Sequence, residues 1–166
     1  MDRGADRTEM TDECHAGNGP AARAVEALQQ ALGERLIAVV LFGSRARGDC
    51  SPHSDWDLLV LVEDLPERAL ERHMFLTQLL PPDCRGAVSL LAKTPEEFES
   101  ALPPLYLDIA LDGRVLYDSL GYVAERLEAL QRLMERAGLY RERVEGGDVW
   151  RWRAEPALPW ALHWDS

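Results

Sequence analysis

Whatever this chain folds into has to bury two apolar runs, LIAVVLF (Leu36–Phe42) and LLVLV (Leu58–Val62). Unbroken aliphatic and β-branched runs, unlike alternating ones, read as strands covered on two faces, which places helices on both sides of a sheet. Between them lies a polar interval with Gly43, Ser44, Gly48 and Asp55, and Asp57 stands at the mouth of the second strand, Trp56–Val62. Two carboxylates one residue apart at the start of a buried strand repel each other unless a cation lies between them.

The rest of the pattern supplies the covering elements. Ala21–Leu32 puts Ala24, Val25, Leu28 and Leu32 on one side of an amphipathic helix that Gly33 closes. Pro66–Leu80 reads as a helix entered at a proline and ended by Pro81-Pro82, and Gly86–Ala92 as a third, shorter strand. Thr94-Pro95-Glu96-Glu97 has the cap, proline and first-turn acids of a helix start. Tyr106–Leu111 reads as helix, Gly113–Tyr117 as extended, and Tyr122–Ala137 as a long amphipathic helix stopped by Gly138. Trp150-Arg151-Trp152-Arg153 alternates like a terminal strand with both indoles on one face. Strands interleaved with helices in this order give an α/β (α+β) fold, a small mixed β-sheet flanked by helices. The expected organisation is a disordered polar leader over 1–19, a core domain over 20–118, and a C-terminal helix with a Trp-rich strand and tail over 119–166 packing on that domain.

Charge narrows the partners. Lys and Arg number 18 against 29 Asp and Glu, a formal net charge of −11, so a phosphate-gripping basic face is not expected and long nucleic acid is a poor partner. A single nucleotide or a basic protein fits better. The longest apolar run is seven residues and the N-terminus lacks a basic start followed by an apolar stretch, so neither a membrane span nor a secretory signal is expected. Cys14, Cys50 and Cys84 are scattered and odd in number, which points to a reduced, cytoplasmic setting. His15, His53, His73 and His163 form no i, i+4 pair, which argues against zinc.

The polar interval holds the chemistry. Gly43 lets backbone approach a ligand closely, the N–H groups after it can form an anion-binding nest, and Ser44 with Arg45 or Arg47 can add phosphate contacts. Asp55 and Asp57, at i and i+2 of a strand, point to one face about 6.5 Å apart at Cα, suited to magnesium shared with substrate phosphates. Asp-x-Asp alone also fits a solvated turn, and Arg47-Gly48-Asp49 spells an adhesion tripeptide by chance. A Gly-Ser ten residues upstream, with strands on both sides, favours the metal site.

The segment Gly43-Ser44, Arg45–Ser54, Asp55-Trp56-Asp57 resembles the signature of the minimal nucleotidyltransferases of the DNA polymerase β-like superfamily, Gly-Ser, ten residues, Asp-x-Asp. The resemblance extends from about Ala21 to Tyr117. It implies transfer of a nucleoside monophosphate, AMP from ATP or the equivalent from another NTP, to a hydroxyl. It implies a two-ion Mg2+ site on Asp55 and Asp57 and nucleotide contacts at Gly43, Ser44, Arg45 and Ser54. In such families a third carboxylate on the next core strand takes the acceptor's proton, and here that position aligns with Ser89. Small members often act as antitoxins that adenylylate a helical partner toxin of the HEPN type, so the implied acceptor is such a protein or a hydroxylated small molecule. Ser89 leaves a second reading open, a weakened or inactive nucleotide-binding or partner-binding module. The five tryptophans, four of them in the last 17 residues, are read as covering the core, with a partner surface the alternative.

Overall fold

The computed structural model describes residues 19–154 together with Leu162 and Trp164. The polar leader up to residue 18 and Trp160 lie outside the described residues.

The chain begins with α1 (Pro20–Leu32), whose Ala21, Ala24, Val25, Leu28 and Leu32 are buried, and Gly33 at φ +57° turns it into a short 3-10 segment. β1 (Leu36–Phe42) runs to α2 (Gly43–Arg47), a single turn of helix where the sequence showed only a polar interval. β2 (Trp56–Val62), α3 (Ala69–Leu79) and β3 (Val88–Lys93) follow. Then come α4 (Pro95–Glu99), α5 (Pro104–Asp112), β4 (Arg114–Asp118) and α6 (Tyr122–Ala137). A hairpin of β5 (Leu139–Val144) and β6 (Gly147–Trp152) closes the described chain.

The main sheet has the order β3-β2-β1-β4, with β1 antiparallel to both β2 and β4 and β2 parallel to β3. This is the mixed sheet flanked by helices that the apolar runs imply. Both of its faces are covered, because apart from Asp57 both central strands are apolar. Val39, Leu41, Leu58, Val60 and Val62 point into the cluster built with α1, Leu76 and Leu80. Ala38, Val40, Leu59 and Leu61 point the other way, onto Phe98, α5 and α6. The period of two along each strand therefore serves two cores, and Asp57 heads the series that continues as Leu59 and Leu61.

Three elements depart from the sequence expectation. The helix expected from Pro66 begins at Ala69, because the Pro66 carbonyl is taken by Arg72, whose Nε and Nη2 donate to it at 3.0 and 2.8 Å. β5 was not anticipated; it pairs with β6 through a turn at Glu145-Gly146, and its run Leu139–Val144 carries too many charges to show apolar alternation. Cys50 is disulfide-bonded rather than reduced, whereas Cys84 is a buried free thiol, a distinction that scatter along the sequence does not encode. Of the tryptophans, Trp150 and Trp164 pack against the α5–α6 cluster and the Trp164 ring lies tilted against Phe98 with centroids 5.2 Å apart, so these two cover core.

Thr94 caps α4 as foreseen, and the structure adds a capping box: its hydroxyl accepts from the Glu97 N–H and the Glu97 carboxylate accepts from the Thr94 N–H, both at 3.2 Å. The same carboxylate takes Arg72 in a two-pronged pair at 2.7 and 2.9 Å, fastening α3 to α4. The Arg72 hydrogen bond, followed by opposing burial, leaves the Glu97 carboxyl below its ordinary 4.5. A depressed folded value contributes stability above the unfolded value and loses it as pH falls. Glu97→Gln should therefore lower Tm by about 2–6 °C at pH 7, discounted for the partial exposure of Glu97. The gap to wild type should close as thermal melts are taken below about pH 4.5.

Candidate active site

β1 delivers its last residue, Phe42, opposite Asp57 of β2, and Asp57 stands opposite Ser89 of β3. Phe42, Asp57 and Ser89 thus fall in one row across the end of the sheet, and Gly43 follows directly on Phe42. Gly43 is glycine for two independent reasons. Its φ of +73° lies in the left-handed region. A Cβ there would also stand 2.5 Å from Asp57 Oδ2 and 3.4 Å from Asp57 Cγ, so the carboxylate occupies the space a side chain would need. The turn that opens α2 and the carboxylate of β2 are consequently in direct contact.

Asp57 is half-buried, while Asp55, just ahead of the strand, is exposed, as is Ser89. Burial first, and then the charge of Asp55, pushes the Asp57 carboxyl above its ordinary 3.8. The Ser89 hydroxyl, donating to that carboxylate, and the charge of Arg47 act in the opposite direction. Ser89 is therefore a donor to Asp57, in the position where the resemblance calls for a third acid. Among the described residues no group of three or more His, Cys, Asp or Glu comes together. The hard oxygens of Asp55 and Asp57 suit a divalent magnesium ion that completes its shell with waters or substrate phosphates.

Arg45 and Ser54, expected at the nucleotide, shape the loop ahead of β2. Arg45 is buried, its Nε donates to the Ser54 carbonyl at 2.9 Å, and its guanidinium lies 4.3 Å over the Trp56 ring. The Ser54 hydroxyl accepts from the Ser51 N–H at 2.9 Å. Arg47, two residues on, is exposed and its charge reaches Asp57. Only the helical period of α2 separates the two arginines, turning 45 inward and 47 outward, and one turn of helix is too short to show a period in sequence.

A carboxyl with a raised folded value costs stability once it ionises, so neutralising it helps the ligand-free protein. Asp57→Asn should raise the ligand-free Tm by about 1–3 °C near neutral pH. The gain should vanish in melts taken below about pH 3.8, where the wild-type carboxyl is protonated in both states.

Known proteins resemble this chain at the level of family. Residues 22–120 match the nucleotidyltransferase domain family. A Methanocaldococcus jannaschii protein, provisionally named a protein adenylyltransferase, is 30% identical over 112 residues, covering 65% of this chain and 76% of that protein. Among solved structures, a provisionally named nucleotidyltransferase from Sulfolobus solfataricus overlaps at a TM-score of 0.49, with 22% identity over 72% of this chain and 93% of that one. A tri-AMPylated Shewanella oneidensis HEPN toxin in complex with MNT antitoxin overlaps at 0.44, with 20% identity over 69% of this chain and 87% of the matched one. Structural overlaps of that size carry no functional argument. The match over residues 22–120 does, and this chain belongs to the nucleotidyltransferase domain family.

Proposed function

We propose that this nucleotidyltransferase moves AMP from ATP to a hydroxyl of a protein partner, a helical toxin of the HEPN type, with a small hydroxylated molecule the other acceptor class. The observation that carries the reading is the contact of Gly43 with Asp57, which brings the turn opening α2 against one of the two carboxylates. The relative named as a protein adenylyltransferase supports a protein acceptor.

In this reading the N–H groups opening α2 and the Ser44 hydroxyl hold the β- and γ-phosphates, and Arg47 adds the cation. Asp55 and Asp57 hold Mg2+, which when bound draws charge from the phosphate oxygens. The acceptor oxygen attacks the α-phosphorus, the bond from that phosphorus to the β-phosphate's bridging oxygen breaks, and pyrophosphate leaves with the electron pair. The acceptor proton passes to solvent, because a serine hydroxyl that donates to Asp57 is no base at neutral pH. General-base help is worth about 10²–10⁴ in rate, so transfer is slow. The same serine favours a second reading, a nucleotide-binding module that docks its partner without chemistry.

Incubation with a HEPN-type protein and ATP labelled at either the α- or the γ-phosphate tests this. Label should reach the acceptor from the α-position only and disappear in Asp55→Ala/Asp57→Ala. Ser89→Asp should raise the initial rate about tenfold or more while lowering ligand-free stability, since it adds a third acid to the row. No label from any NTP in wild type and in Ser89→Asp alike would leave the binding module as the better account.

A further inference from the structure

The β5–β6 hairpin lies beyond the residues that match the family, yet it is fastened beside the site by two arginines one residue apart. Arg141 Nη1 stands 2.6 Å from Asp112 Oδ2 and 3.1 Å from Asp108 Oδ1, and its Nη2 donates to Asp112 Oδ1 at 3.1 Å, docking the hairpin on the end of α5. With its side chain only 17% exposed, this anchor is a fixed point. From it, Arg143 on the same side of β5 reaches across 94 positions to the loop after α2, placing Nη2 3.3 Å from Asp49 Oδ2. The same oxygen accepts from Arg47 Nε at 3.1 Å.

One carboxylate oxygen is therefore shared by two guanidinium groups, one from the hairpin and one from the turn that faces Asp57. We infer that Arg143 is a positioning residue for the nucleotide site: by holding Asp49 it fixes Arg47 on the short helix whose first residue, Gly43, touches Asp57, ready for a polyphosphate. A long arginine side chain held in place before binding has less freedom to lose when the ligand arrives. Left without Arg143, the Asp49 carboxylate keeps Arg47 as its hydrogen-bonding side chain among the described residues, and the two side chains swing together. The inference rests on the nucleotidyl-transfer reading, and it gives the hairpin a part in nucleotide affinity.

Calorimetric titration with ATP and magnesium tests it on wild type, Arg143→Ala, Arg143→Lys, Asp49→Asn and the Arg143→Ala/Asp49→Asn double variant. Arg143→Ala and Asp49→Asn should each weaken binding roughly two- to fivefold, as the loss of an exposed ion pair allows. The double variant should bind no more weakly than Asp49→Asn, since both act through one oxygen. Arg143→Lys should recover part of the loss. In the ligand-free protein, the Nε–Hε NMR signal of Arg47, identified by its loss in Arg47→Lys, should broaden in Arg143→Ala while Tm stays within about 1 °C. Wild-type binding matched by Arg143→Ala, with the Arg47 signal unmoved, would overturn the inference alone. Absence of wild-type binding would overturn the nucleotide reading and the inference with it.

Discussion

A carboxylate oxygen of Asp57 occupies the volume where any other residue at position 43 would carry its Cβ, and the site is organised around that contact. The antiparallel register that sets Phe42 against Asp57 creates it, and the register is held by the apolar residues of β1 and β2 pointing alternately into two cores. A slip of one residue would send Asp57 into the α1–α3 core and Leu58 to the site, so burial on both faces fixes the register. The parallel pairing of β3 then sets Ser89 beside the same carboxylate. Packing of aliphatic side chains thus positions the polar groups.

Those polar groups are held against their own preference. Asp57 ionises in a half-buried place beside another acid, with a serine hydroxyl and a neighbouring arginine as partial relief. Such an arrangement weakens the ligand-free fold, and in the proposed reading it gains when a cation and a polyphosphate arrive, the usual stability trade-off of a functional site. The loop between the glycine turn and the carboxylates is itself braced, by Arg45 stacked on Trp56 and bonded to the Ser54 carbonyl. Its outer side is tied to the hairpin through Asp49 and Arg143.

How much of this was legible in the sequence follows from which forces are local. The two central strands announced themselves by unbroken apolar runs, α6 by its periodicity and Gly138, and α4 by its cap, proline and first-turn acids. The Gly-Ser and Asp-x-Asp spacing marked the candidate site, and the resemblance aligned Ser89 with the third carboxylate, at the position the register sets opposite Asp57. Sequence was silent where long-range contacts decide. The start of α3 depends on Arg72 taking the Pro66 carbonyl, and β5 depends on arginines that satisfy acids on α5 and in the α2–β2 loop. Arg45 and Arg47 look alike in sequence and are told apart only by which side of one helical turn faces the core. Alternation did mark β6, where Trp150 and Trp152 fall two residues apart and Trp150 meets the α6 cluster.

The central claim, that Asp55 and Asp57 wait for a cation and a triphosphate, is met most directly by thermal melts with ATP and magnesium, added together and separately, on wild type and Asp55→Ala/Asp57→Ala. Saturation at a hundredfold excess over Kd stabilises by about 2.7 kcal/mol, or roughly 5–11 °C for a chain of this size. The account predicts a wild-type shift that needs both ligands and is absent in the double variant. A shift that survives the loss of both aspartates, or none with any NTP, would contradict it.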